Sequence, residues 1–159
     1  MKNPFIKLWL VFLLTLIALI SCENNPVSNN KTNYLEDLGK EVHRLVNLHR
    51  ASIGLPELEW SEIIAAECRT HSIDMADSKT INHDGFYERI DRIKEKIPLN
   101  WAGENVALNW SAQAAVTSWL NSPGHKSNIE SNSNLTGVGV AFDSDSAMYL
   151  TQIFIKSSN

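Results

Sequence analysis

The fold is decided by residues 101–125, W-A-G-E-N-V-A-L-N-W-S-A-Q-A-A-V-T-S-W-L-N-S-P-G-H. This stretch contains a Gly-Glu-Asn turn, a segment of helical periodicity and a Ser-Pro-Gly-His turn. Ser111 is a favourable N-cap for the helix, and Trp119 falls on the side that would be buried. Glu104 and His125 lie on the two glycine-bearing turns, where a scaffold displays ionisable groups. These turns are therefore the first candidates for a functional site.

Two amphipathic helices are predicted before this stretch. Residues 34–50 carry apolar side chains at intervals of three and four, which is typical of a helix with one face in the core. Residues 61–78 form the second helix, with Ser61 as its N-cap. A short helix follows over residues 86–97. Residues 100–109 have no strong periodicity and are predicted to be a loop or a short extended segment.

The C-terminal part of the chain changes period. Residues 136–142 and 148–155 are rich in β-branched and aromatic side chains, and residues 143–146 between them have turn composition. The pair is predicted to form an antiparallel hairpin. Because helices come first and strands last, we expect an α+β fold with helices packed on a small antiparallel sheet.

Residues 1–21 are interpreted as an export signal. Lys2 and Lys7 give a positive start, and the apolar run over residues 8–20 is too short to span a membrane. The run ends at Cys22 in a sequence that resembles the lipobox of bacterial lipoproteins, in which this cysteine carries the lipid. An ordinary secretory signal and an uncleaved anchor are the alternatives. The first interpretation predicts a protein anchored to a bacterial membrane and exposed outside the cytoplasm.

The remaining composition predicts one exported domain over residues 34–159, joined to Cys22 by a flexible polar tether over residues 22–33. Cys68 is the second of two cysteines, so it has no disulfide partner if Cys22 is lipidated. We expect Cys68 to be an inert buried thiol. Removal of the signal with its two lysines takes the formal net charge from −4 to −6, and an acidic domain without a basic cluster argues against nucleic acid.

Three ionisable residues on loops are candidates for chemistry: His83, Glu104 and His125. Two imidazoles and a carboxylate suit zinc with an open position, and Glu104 could then act as a general base. Their spacing matches no local metal motif, and Glu104 and His125 could instead bond backbone groups to fix their turns. Ser122, close to His125, is better explained by turn chemistry than as a nucleophile, because no G-x-S-x-G elbow is present.

Two further histidines fall on predicted helices. His71 shares its stripe with Ile64 and Met75, so it is expected to be an inner histidine with satisfied hydrogen bonds, although its position leaves open whether it joins the cleft. His49 lies on or beside the apolar face of the first helix and is interpreted as a core or rim histidine.

Seven segments resemble the bacterial type of the CAP domain, also called the SCP or cysteine-rich secretory, antigen 5 and pathogenesis-related-1 domain. They occur in the family's order and together cover nearly all of the chain after residue 33. The segments are residues 47–60 (N-L-H-R-A-S-I-G-L-P-E-L-E-W), 65–76 (A-A-E-C-R-T-H-S-I-D-M-A), 81–85 (I-N-H-D-G), 103–107 (G-E-N-V-A), 119–129 (W-L-N-S-P-G-H-K-S-N-I), 137–142 (G-V-G-V-A-F) and 149–154 (Y-L-T-Q-I-F).

The resemblance implies a three-layer α-β-α sandwich and an open cleft. Eukaryotic members carry two histidines and two glutamates in this cleft, and some bind zinc or another divalent cation there. By position, His83, Glu104 and His125 match three of these residues. Ser122 stands where the second glutamate is expected, which implies that any zinc binding is weak or labile. His71 is the remaining cleft candidate.

Three functions follow as hypotheses. The first is a lipid-anchored envelope protein whose cleft binds a lipid, a peptide or a glycan, with Trp101 and Trp110 as candidate lining residues. The second is a metal-dependent hydrolase that uses His83, Glu104 and His125. The third is a structural envelope protein in which these residues only maintain loops. We expect a monomer in each case.

Overall fold

The computed structural model describes residues 26–158. The predicted signal peptide and Cys22 lie outside the described residues. Among residues 26–158, no helix combines the length and the apolar character needed to cross a bilayer. The elements in chain order are α1 (Pro26–Ser52), β1 (Glu59–Trp60), α2 (Glu62–Ser78), α3 (Phe86–Lys94), β2 (Leu99–Asn109), α4 (Ala112–Leu120), α5 (Pro123–Ile129), β3 (Leu135–Phe142) and β4 (Met148–Ser157).

The sheet has the strand order β1-β3-β4-β2. Strands β3 and β4 form the predicted antiparallel hairpin, and β2 pairs antiparallel with β4. The sheet is mixed rather than purely antiparallel, because the two-residue strand β1 pairs parallel with β3. The prediction for residues 100–109 was wrong, since they belong to the 11-residue strand β2. The middle of β2 is buried on both faces and includes Glu104 and Asn105, so it lacks an alternating pattern.

Helices cover both faces of the sheet and give the expected three-layer α-β-α sandwich. One core joins α1, α4 and α5 to the sheet around Trp119 and Phe154, and the other joins α2 and α3 to the opposite face around Ile153. Strand β3 lies directly against the backbone of α2. A Cβ atom at Gly137 would lie 2.2 Å from the backbone nitrogen of Ala65, so only glycine permits this approach.

Helix α1 runs antiparallel to β3 and begins at Pro26, earlier than the predicted start. Residues 26–33 of the predicted flexible tether are therefore helical. Tyr34 stacks on Phe142 at the end of β3, with ring centroids 6.4 Å apart. At its other end, α1 carries the buried Arg50, which is 1% exposed.

Arg50 holds the loops at one end of the sheet. Its guanidinium donates hydrogen bonds to the carbonyls of Pro56 (2.9 Å), Ile129 (2.7 Å), Ser131 (2.9 Å) and Ser133 (3.3 Å). Burial lowers the pKa of Arg50, but an arginine stays charged in a protein, and the four carbonyl dipoles replace its water shell. This contact fixes the loop that follows α5.

Candidate functional site

Glu104 is the buried centre of the candidate cleft. Strand β2 directs its carboxylate towards α3, and its side chain is only 2% exposed. Arg89 on α3 donates to Oε2 through Nη2 at 2.6 Å and through Nε at 3.1 Å. The Nδ1–H of His83 donates to Oε1 at 2.8 Å. Both carboxylate oxygens are therefore already engaged by charged or polar partners within the chain.

Contacts with the backbone of residues 82–85, just before α3, position Arg89 and His83. Gly85 adopts a left-handed conformation with φ of 70° as the N-cap of α3, which turns the chain from the His83 loop into the helix. Arg89 also donates to the carbonyl of Asp84 at 2.6 Å. From the α2 side, His71 donates from Nε2 to the carbonyl of Asn82 at 2.9 Å. His83 is thus presented on a loop that is held from two sides, while its own ring is half exposed.

His125 approaches the cleft from the opposite side of β2. Asn105 on β2 donates to the carbonyl of His125 at 3.1 Å, and Asn128 donates to the carbonyl of Glu104 at 3.1 Å. These two amides fasten α5 to the strand. Burial lowers the pKa of His125, and the nearby charge of His83 lowers it further. Within the described residues the His125 ring has no hydrogen-bond partner, so it is available to a ligand.

The other predicted site residues have different surroundings. Ser122 is the N-cap of α5 and makes no side-chain cap bond, and the described contacts include none from its hydroxyl to His125. His71 is 3% exposed and holds the His83 loop rather than contacting Glu104. Cys68 is free and buried, as expected, and its thiol donates to the carbonyl of Gly137 at 3.3 Å. Burial, with a smaller effect of Glu104, raises the pKa of that thiol far above its usual range.

The arrangement of these elements matches a known protein family. The model of the cysteine-rich secretory protein family, CAP, matches residues 43–154 of this chain. The chain belongs to the CAP family. The predicted resemblance is thereby confirmed for the domain, whereas the lipoprotein signal at Cys22 remains a prediction.

Two curated relatives of this CAP protein come from Bacillus subtilis strain 168. The membrane protein YlbC is 37% identical over 121 residues, which is 74% of this chain and 34% of that protein. YkwD is 33% identical over 120 residues, which is 73% of this chain and 46% of that protein. The chain thus spans less than half the length of the curated relatives it matches.

Solved structures show the same CAP fold. An extracellular protein of Bacillus anthracis that contains an SCP domain has a TM-score of 0.69 and 32% identity, with 80% of this chain and 43% of that chain covered. An outer surface protein of Borrelia burgdorferi has a TM-score of 0.67 and 22% identity, with 75% and 92% covered. The second likeness concerns the fold alone.

The CAP cleft of this chain does not fit a resident zinc ion. A zinc site needs at least three protein ligands, and Glu104 could serve only by giving up Arg89 or His83. Two imidazoles would remain, His83 and His125. In the described part of the chain, no group of three or more histidine, cysteine or acidic side chains is arranged to hold a metal ion.

Arg89, Asn105 and Asn128 are the cleft residues that sequence reasoning missed. Arg89 offered one signal, because it lies four residues before Ile93 and therefore shares the buried face of α3. A charge on such a face predicts a buried partner. The two asparagines offered no comparable signal, since their contacts join segments far apart in the sequence.

A separate groove of about 760 Å³, which we name the α5 groove, lies between α5 with its following loop and the ends of β2 and β4. Of the two tryptophans proposed to line a ligand site, Trp101 lines this groove. Trp110 does not, since it is 85% exposed and lies just after the other end of β2. A smaller groove of about 430 Å³ is lined by His71 and by polar residues of α2 and the His83 loop. Neither groove is lined by Glu104.

Proposed function

We propose that this CAP protein is a lipid-anchored, extracytoplasmic binding protein of a bacterial envelope, whose cleft between His83 and His125 binds a ligand without breaking a bond in it. The observation that carries the proposal is the engagement of both Glu104 oxygens by Arg89 and His83. A general base must reach the proton that it removes, and the Glu104 side chain is only 2% exposed, with Arg89 and His83 on its two oxygens. Glu104 instead orients the His83 ring by accepting the hydrogen bond from its Nδ1.

The two imidazoles are suited to recognition. Nδ1 of His83 is held by Glu104, which leaves Nε2 for a ligand, and the ring is half exposed. His125 has a lowered pKa and an unpaired ring, so near neutral pH it offers both a donor and an acceptor. The candidate ligands are a lipid, a peptide or a glycan of the envelope.

Location is supported by the relatives and by the predicted signal. The relatives include a membrane protein and an extracellular protein, and residues 1–21 followed by Cys22 have the pattern of a lipoprotein signal. Metabolic labelling of the full-length chain in a bacterial host with an alkyne fatty acid tests the anchor. We expect a labelled protein in the membrane fraction and loss of label in Cys22→Ser. Equal labelling of both proteins would contradict lipidation at Cys22.

Ligand binding is tested by NMR of the full-length chain labelled with ¹³C in its histidine rings. Lipid extracts, muropeptides and peptide pools from the envelope are added in turn. We expect one class to shift the signals of His83 and His125 and to leave His43 unshifted. His43 bonds the carbonyl of Leu58 at 2.8 Å beside β1, which is at the opposite edge of the sheet from β2. Chemical conversion of the added material, or the absence of any shift with all three classes, would contradict the proposal.

A further inference from the structure

The α5 groove lies on the opposite face of β2 from Glu104, and neither His83 nor His125 lines it, so it is distinct from the His83–His125 cleft. The Trp101 side chain and the Cα–H of Gly103 that a Cβ would replace face α5, whereas the Glu104 side chain faces Arg89 on α3. The volume of the α5 groove, about 760 Å³, is within the range of sites that hold small ligands, roughly 300–1,000 Å³. A site here goes beyond the function proposed above.

Trp101 forms an open aromatic platform in this groove. The side chain is 39% exposed, although tryptophan is usually well covered in a domain. A Cβ atom at Gly103 would lie 2.7 Å from the indole and 2.7 Å from Oδ1 of Asn128, so the glycine makes room for the ring along the strand. The strand register places Lys156 directly opposite Trp101, on the same face of the sheet.

The groove is positively charged although the whole chain carries a formal charge of −4. Lys126 and Lys156 both line it, and within the described residues Lys156 has no hydrogen bond or ion pair. Glu130 is the acidic lining residue, and its carboxylate accepts from His49 at 2.8 Å, closer than Lys126 at 3.8 Å. The ammonium group of Lys156 is therefore available to an anionic ligand, and that of Lys126 is held only by the 3.8 Å ion pair with Glu130.

The rest of the lining is polar and hydrogen-bonding. Ser127 and Asn132 are exposed and offer a hydroxyl and an amide, and Pro123 is the other apolar contribution. The apolar surface of this groove comes from Trp101, Pro123 and the lysine stems, and no Leu, Ile, Val, Met or Phe side chain lines it to form the aliphatic walls that suit an acyl chain. A sugar ring presents C–H groups to an aromatic face and hydroxyls to polar side chains, and the negative face of an indole favours such contacts.

We propose that the α5 groove binds an acidic saccharide, with one sugar ring stacked on Trp101 and carboxylates paired with Lys126 and Lys156. Ser127 and Asn132 bond the sugar hydroxyls. The groove selects a ligand that has both a pyranose face and an acidic group. A neutral sugar would leave the two lysines unused, and an anion without a ring would leave Trp101 unused.

The test is isothermal titration calorimetry of the full-length chain in a zwitterionic detergent that has no sugar headgroup. The probe is hexagalacturonate, which carries one carboxylate on each ring. Its methyl ester keeps the rings without the charges, and hexaglutamate keeps the charges without the rings. We expect saturable binding of hexagalacturonate, about tenfold or more weaker binding of both comparison ligands, and weakening by added salt.

Matched variants locate the site. Trp101→Ala is expected to weaken binding by about tenfold or more, while Trp110→Ala at the opposite end of β2 leaves it unchanged. Lys126→Gln and Lys156→Gln should each weaken binding several-fold, and Lys94→Gln on α3 should not. Circular dichroism confirms that each variant is folded; if Trp101→Ala is unfolded, the two lysine variants decide the outcome.

Three results would overturn the inference: no binding of hexagalacturonate by the folded chain, equal binding of hexaglutamate, or unchanged affinity in Trp101→Ala. Equal binding of hexaglutamate would show simple attraction of anions. The double variant His83→Ala/His125→Ala is expected to bind hexagalacturonate normally, so failure of the cleft proposal and failure of this one are seen separately.

Discussion

Replacing Arg89 by methionine is expected to lower the free energy of unfolding by about 3–5 kcal/mol, because it leaves a buried carboxylate without its cationic partner. The side chains of Arg89 and Glu104 are 5% and 2% exposed. The substitution removes two hydrogen bonds to Glu104 and one to the carbonyl of Asp84. His83 remains on the other oxygen, but its ring is half exposed and cannot replace the guanidinium.

Thermal unfolding of the full-length chain, followed by circular dichroism, measures the effect. For a domain of this size, a loss of about 3–5 kcal/mol corresponds to a fall in Tm of roughly 10–20 °C. His83→Ala is the matched control, since it removes the exposed partner of the same carboxylate. We expect that control to cost about 1 kcal/mol or less.

The double variant Arg89→Met/Glu104→Leu completes the test. Once both charges are gone, no unpaired group remains buried, and the stability should return to within about 1–2 kcal/mol of the original. A fall of less than about 1 kcal/mol for Arg89→Met alone would refute the reasoning. It would mean that water reaches Glu104 and that the carboxylate is free for acid–base chemistry.

Three further predictions concern the scaffold and pH. Arg50→Met should lower the free energy of unfolding by about 2–4 kcal/mol in urea, because four carbonyls lose their donor. The exposed Arg44→Ala is the control and should leave the urea midpoint nearly unchanged. Gly137→Ala should prevent stable folding, since its Cβ would meet the backbone of α2. Gly124→Ala is the control, because a Cβ there has open space and should change the Tm little. Equal Tm values for the two variants would contradict the close packing of β3 on α2. The lowered pKa of His125 means that the unfolded chain binds more protons below about pH 6.5, so stability should fall on acidification and His125→Asn should flatten that fall. Parallel pH profiles for His125→Asn and the original chain would show that the ring is solvated like that of the unfolded chain.

Elements fixed by local chemistry were predictable from the sequence. Ser111 caps α4 as expected, with its hydroxyl accepting from the backbone of Ala114 at 3.1 Å. Trp119 is 1% exposed, and the residues around the turn at 143–146 form the antiparallel hairpin. Each of these features depends on residues close together in the chain, so periodicity and capping rules identify them.

Features that depend on pairing across the fold were not predictable. Strand β2 has no alternating pattern because its polar residues are buried against partners on α3 and α5. His83 contacts Glu104 in the structure, but Glu104 lies in strand β2 rather than on the predicted turn, and Arg89 binds its other oxygen. Likewise, Trp101 becomes a platform only through the register that sets it beside Lys156.

The direction of α1 has a consequence for electrostatics at a membrane surface. The helix has 27 residues and is therefore about 40 Å long, and its first residue lies at the opposite end from Arg50 and the loop that closes the α5 groove. With α1 standing along the membrane normal, a lipid on Cys22 would hold the groove several Debye lengths from the headgroups, since that length is about 8 Å at physiological salt. Anionic lipid would then be too distant to compete for Lys126 and Lys156, and the affinity for an acidic saccharide should not depend on bilayer composition.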